Sequence, residues 1–257
     1  MATTVQIPAT KAAKRIPMTS TRKTALVAGV FYLITFVSIP APYGLYGPVR
    51  NHRDWILSSG GSYTGVLVGA LLEVIVALAG IGTAITLYPV VKRQNEGFAL
   101  GFVASRVVEA GMIFTGVLSL LSMVTLRQDL GGAAGANAAS LVATGASHVA
   151  IYNWTFLLGQ TLMPAINALL LGTLMYRSRL VPRIIPLIGL IAAPLLIADV
   201  IARLFGAGTF VLVPGLPIAA WELSLGVWLV VKGFRPCPIT AAMDAAGTPT
   251  ADQDVAI

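Results

Sequence analysis

Arg106 and Glu109 stand inside the apolar run 101–114, three residues apart. In a helix that spacing puts them on one face about a turn apart. Ionisable groups at membrane depth are rare, face the bundle interior and find partners there. The chemistry open to them is charge pairing, the holding of a proton, or the binding of a small polar or cationic ligand. The first question is which other segments bring counter-groups to the same depth.

Composition says that these segments cross a membrane. Of 257 residues, 56% are hydrophobic and 11% are charged, and the mean hydropathy is +0.84. A soluble domain carries roughly a quarter charged residues. Apolar runs at 24–39, 63–91, 97–126, 148–176, 182–204 and 213–231, separated by polar knots, fit repeated bilayer crossings. The expectation is an all-α membrane protein, a bundle of six transmembrane helices over 24–233. Polar tails at 1–23 and 234–257 flank it and read as disordered. The stretch 127–147, nearly all Gly, Ala, Ser, Thr and Asn, reads as the longest loop, able to form only a weak surface helix.

Lysines and arginines set the orientation. Five lie in the N-terminal tail, two in the second loop (Lys92, Arg93), three in the fourth (Arg177, Arg179, Arg183) and two after the last run (Lys232, Arg235). The opposite side has Arg50, Arg53, Arg127 and Arg203. The positive-inside rule then places both termini in the cytoplasm. The net charge of +7 sits beside apolar runs, so the expected partner is the lipid bilayer and not nucleic acid.

A rise of about 1.5 Å per residue converts sequence position into depth. Tyr32, Arg106, Asn167 and Glu222 fall about 13 Å from the cytoplasmic side, and Glu73, Gln160 and Asp199 at about 24 to 26 Å, with Glu109 between. The planar guanidinium of Arg106 is expected to donate a forked pair of hydrogen bonds to Glu222. Glu73, Glu109, Gln160 and Asp199 are expected to line a midplane cavity for water or a small polar or cationic ligand. Four acids (Glu73, Glu109, Asp199, Glu222) face only Arg106 and the boundary Arg203, so at least one acid is expected to be protonated or hydrated. Pro164 and Pro194 remove the donors that would reach the carbonyls of Gln160 and Leu190. The pairs Ala25/Gly29, Gly65/Gly69 and Gly97/Gly101 allow close helix contact.

Several classes are disfavoured. Cys237 is the single cysteine, so neither an intrachain disulfide nor a cysteine-rich metal site can form. The sequence contains no HExxH, GxxxxGK[ST], GxSxG or GxGxxG, which argues against a metal or nucleotide enzyme and implies no cofactor. Two readings stay open: a small-molecule or proton-linked binding or transport site, and a structural or partner-binding scaffold without a ligand.

The chain resembles a bacterial family of six-span membrane proteins known only as a domain of unknown function. The resemblance covers about residues 22–235. It is carried by Arg22 with Ala28-Gly29 and Tyr32-Leu33, Ser105-Arg106-Val107-Val108-Glu109, Tyr176-Arg177-Ser178 with Pro182-Arg183, Asp199, Trp221-Glu222-Leu223-Ser224-Leu225, Trp228-Leu229 and Lys232-Gly233. It implies the six-helix fold and a location in the bacterial plasma (inner) membrane, and it implies no activity. Pro186 and Pro194 stand where the family pattern suggests leucine and glycine, and 131–147 is poorer in large apolar residues than the pattern.

Overall fold

The computed structural model describes residues 18–38, 44–58, 62–207 and 212–246, with the side chains of 136 and 212–214 set aside. Among them every regular element is helical. The main helices are α1 (Ser20–Ser38), α3 (Thr64–Val91), α4 (Glu96–Leu130), α5 (Ala136–Thr155) running through a π-helical segment (Phe156–Leu162) into α6 (Met163–Ser178), α7 (Ile184–Leu204) and α8 (Leu212–Val231). Two short helices lie at opposite ends, α2 (Gly47–Asn51) with a 3-10 turn (Arg53–Leu57), and α9 (Pro238–Ala246).

Local signals account for the boundaries. Asn95 caps α4, its side-chain oxygen accepting from the Phe98 amide at 2.9 Å, with Glu96 in the first turn, where the helix dipole favours an acid. Pro164 removes an amide that an α-helix would use, and the chain upstream of it takes the wider i→i+5 pattern over Phe156–Leu162.

Among the described residues four helices are long and apolar enough to cross a membrane: Thr64–Val91, Glu96–Leu130, the continuous Asn137–Ser178 and Ile184–Leu204. The apolar part of α8, Gly215–Val231, is shorter, and the nineteen residues of α1 include Arg22 and Lys23. Two expectations change here. The stretch 127–147 is mostly helix, because α4 runs on to Leu130 and the alanine-rich α5 begins at Ala136. The segment 238–246, expected as part of a disordered tail, forms α9, while 1–17 and 247–257 lie outside the described residues.

The helices close into a ring. α1 packs on α3 and α8, α3 on α4, α4 on α5 and α6, α6 on α7, and α7 on α8. A large core centred on Tyr32, Leu87, Phe102, Leu171, Met175, Trp221 and Leu229 fills the end that carries α9. A second core, with Tyr46, Trp55, Ile56, Leu120, Met123, Leu141 and Tyr152, joins the α2 segment to α4 and α5 at the other end.

Both ends are pinned by polar contacts. Arg22 donates to the carbonyls of Leu229 and Val230 at 2.8 and 2.6 Å, capping α8, and the Thr21 hydroxyl donates to Asp244 of α9 at 2.9 Å. At the opposite end Arg127 donates to the Ser58 carbonyl at 3.0 Å and stacks over Trp55 at 4.3 Å.

Small residues set the crossing of α1 and α8. A Cβ on Gly29 would lie 2.8 Å from both the Gly226 carbonyl oxygen and Val230 Cγ2, so α1 and α8 meet backbone to backbone. Gly29→Ala is expected to lower stability by about 1 to 3 kcal/mol through overpacking. Gly111→Ala, at a site with open space around it, should change stability by no more than about 0.5 kcal/mol or raise it, since alanine is the better helix former. Thermal unfolding of the two purified variants checks the contrast.

Candidate functional site

Arg106 is 5% exposed and projects from α4 into the ring. Its Nη2 donates to Glu222 Oε1 of α8 at 2.8 Å and reaches the Tyr32 hydroxyl of α1 at 3.5 Å. Its Nη1 donates to both carboxylate oxygens of Glu109, at 3.0 and 3.2 Å. Glu109 Oε2 also accepts from the Asn167 amide of α6 at 2.7 Å, and the Asn167 carbonyl oxygen accepts from the Ser105 hydroxyl. Helices α1, α4 and α8 thus converge on one guanidinium, and α6 joins through Glu109. The rings of Tyr32 and Phe102 stand 5.6 and 5.7 Å from its carbon, close enough to share in holding the cation. Arg106 Nε is buried with no acceptor in the structure.

The contact expected between Arg106 and Glu222 is present, but as one bond and not a forked pair. Glu109 lies one turn away on the same helix, so its carboxylate meets Nη1 with both oxygens, and Glu222 receives a single bond from Nη2. The arginine bridges two acids. Both carboxylates sit within 3.0 Å of one positive charge and are buried with it.

The outer residues separate into two groups. Glu73 of α3 is 1% exposed and accepts three bonds: from Tyr152 and Gln160 on Oε1, each at 2.9 Å, and from Tyr46 on Oε2 at 3.1 Å. Asp199 instead pairs with Arg203 one turn along α7, at 2.7 Å. Among the described residues the Glu73 group and the Arg106 network share no hydrogen-bonded side chain. Of the four residues expected to line one cavity, Glu73 and Gln160 are joined directly, Glu109 is held by Arg106 and Asn167, and Asp199 is held by Arg203.

Three participants went unforeseen. Tyr152 lies eight residues before Gln160, about two turns, so the helical repeat alone places it on the same face. Ser105 precedes Arg106, and its hydroxyl turns back to the Phe102 carbonyl as well as to Asn167. Tyr46 lies between helices, where counting residues along a span assigns no depth. Among the described residues there is no grouping of His, Cys, Asp and Glu of the kind that holds a metal ion.

A ring of helices, four of which are long and apolar enough among the described residues to cross a membrane, with a charge cluster inside, fits a helical membrane protein. The chain belongs to the DUF4386 family, a domain of unknown function, whose model matches residues 27–233. Comparison with curated proteins and with solved structures returned no match.

The geometry has an energetic consequence. Arg106→Gln leaves Glu109 and Glu222 buried without their cation and is expected to cost about 3 to 5 kcal/mol. Adding Glu109→Gln and Glu222→Gln to the same chain should restore part of the loss, since no charge is then stranded. Thermal or denaturant unfolding of the single, double and triple variants measures the coupling. Additive effects would contradict the shared-cation arrangement.

Proposed function

We propose that the protein is a six-span protein of the bacterial inner membrane, with both termini cytoplasmic, whose bundle binds and passes protons at Arg106, Glu109 and Glu222. The twelve-against-four distribution of basic residues supports the orientation. α1 and α8 supply the fifth and sixth crossings, since each packs along a neighbour that is long enough to span.

One observation carries the functional reading: a single guanidinium stands between two buried carboxylates, at 3.0 and 2.8 Å. Arginine stays protonated in proteins and neutralises one of the two. The second negative charge is left in a poorly solvated interior, where an uncompensated ion costs several kcal/mol. A proton relieves it. It is the smallest cationic ligand and needs no room beyond the hydrogen-bonded network already present. Asn167 and Tyr32 can adapt, because an amide and a hydroxyl each offer both donor and acceptor.

The scaffold reading also has an observation in its favour: Glu109 and Glu222 both receive donors from the chain itself, so the network closes without a ligand. The two readings separate in lipid vesicles loaded with a pH-sensitive dye and given a membrane potential. Proton flux above that of empty vesicles, lost in both Glu109→Gln and Glu222→Gln, is the expected result. Wild-type flux equal to that of empty vesicles would favour the scaffold.

A further inference from the structure

Glu73 stands apart from the Arg106 network and has an unusual set of partners. Its carboxylate accepts two phenol hydroxyls and one amide, and no arginine or lysine is among its hydrogen-bond partners. Two of the three donors, Tyr152 and Gln160, sit on the long helix that passes through the π-helical segment. The third, Tyr46, belongs to the segment 44–58 that lies across this end of the ring and covers Glu73.

Tyr46 is seated as a latch would be. Its ring fills a slot that only glycine leaves open, since a Cβ on Gly69 would come within 2.5 Å of Tyr46 Cε1. Tyr152 meets it edge to face, with centroids 5.3 Å apart. Val49, Trp55 and Ile56 of the same segment are buried with it against Leu120, Met123 and Leu141.

We propose that Glu73 is a second proton-binding site, separate from Arg106, and that its protonation unlatches the segment 44–58 through Tyr46. The ionised carboxylate is an acceptor at every lone pair and can hold all three donors. When a proton binds, one oxygen becomes an O–H donor. The three bonds lose the strength an ionised acceptor gives them, and the new O–H needs an acceptor of its own, which a phenol supplies only if its own O–H turns away or the phenol leaves. Tyr152 and Gln160 are fixed by the long helix, whereas Tyr46 lies on a short segment and makes the longest of the three bonds. Tyr46 is the one released.

The charged and titratable groups around the site fit that sequence. From the covering segment, Arg50 stands over the Tyr152 ring at 5.4 Å and favours the ionised, latched form. His52, Arg53 and Asp54 of the same segment are exposed. On α5, His148 lies one turn from Tyr152 and is engaged by Ser119 of α4 at 3.2 Å, and farther out on α4 Arg127 holds Ser58 and Trp55. From α1, the stretch 24–38 packed along α3 carries no charged residue.

The test is amide hydrogen exchange of the full-length protein in lipid nanodiscs, read at 44–58 and corrected for the intrinsic pH dependence of exchange. Protection of this segment should fall between about pH 8 and about pH 5, while α3 and α4 stay protected. Glu73→Gln, which exchanges one acceptor oxygen for a donor, should give low protection at both pH values. Tyr46→Phe keeps the ring in the Gly69 slot and removes only the hydroxyl, and should speed exchange in 44–58 by about tenfold or more near neutral pH. Glu109→Gln disables the Arg106 site and should leave the response of 44–58 in place, so failure of that site and failure of this one are distinguishable. Protection that does not change with pH in the wild type, or that changes equally in Glu73→Gln, would overturn the proposal, as would wild-type exchange in Tyr46→Phe.

Discussion

A buried guanidinium must be neutralised by whatever the neighbouring helices can bring, and that requirement organises the bundle. Arg106 cannot shed its charge, so the segments that face it carry Glu222 on α8, Glu109 on its own helix and the hydroxyl of Tyr32 on α1. Asn167 of α6 joins by holding Glu109. The contacts reach α6 beside α4, and α1 and α8 across the ring. Replacement of the cluster by apolar side chains could preserve packing, and the polar version selects which helices meet and in what register.

Packing then fixes what charge has selected. Gly29 and Gly226 bring the backbones of α1 and α8 together, which carries Tyr32 and Glu222 toward the same arginine. Gly189 admits the Trp221 ring at 2.8 Å from where a Cβ would stand, and so positions the residue before Glu222. The ends are treated differently. Arg22 and Asp244 tie α1, α8 and α9 around a large core, while the opposite end is closed by a short segment resting on Glu73 and Arg127. Fewer residues secure that second closure, so local opening belongs there more than in the main core.

Much of this was legible because helical rise is constant. Counting along each span put Tyr32, Arg106, Asn167 and Glu222 at one depth, and the structure brings all four together with Glu109 one turn away. The same counting failed where depth was not the deciding quantity. Asp199 matches Glu73 in depth but has Arg203 one turn along its own helix, and the local partner wins. Tyr46 has no depth to count, yet completes the Glu73 cluster from outside the spans. Arg106 gives Glu222 one bond where a forked pair was expected, because Glu109, a turn away on the same helix, takes the other terminal nitrogen. The alanine-rich stretch after Arg127 read as a loop from its small side chains, but alanine favours helix once Leu141 has a core to enter.

The central claim is that two buried carboxylates share one arginine and therefore hold an exchangeable proton between them. Infrared spectroscopy of the full-length protein in nanodiscs, with the glutamates carrying a carbon-13 carboxyl, reads that proton directly as the carbonyl stretch of a protonated acid. The account predicts a carboxyl band in the wild type that shifts on isotope labelling, persists in Glu73→Gln, and is lost in Glu109→Gln and in Glu222→Gln. A spectrum in which Glu109 and Glu222 contribute only ionised carboxylate bands, from acid to alkaline pH, would contradict it.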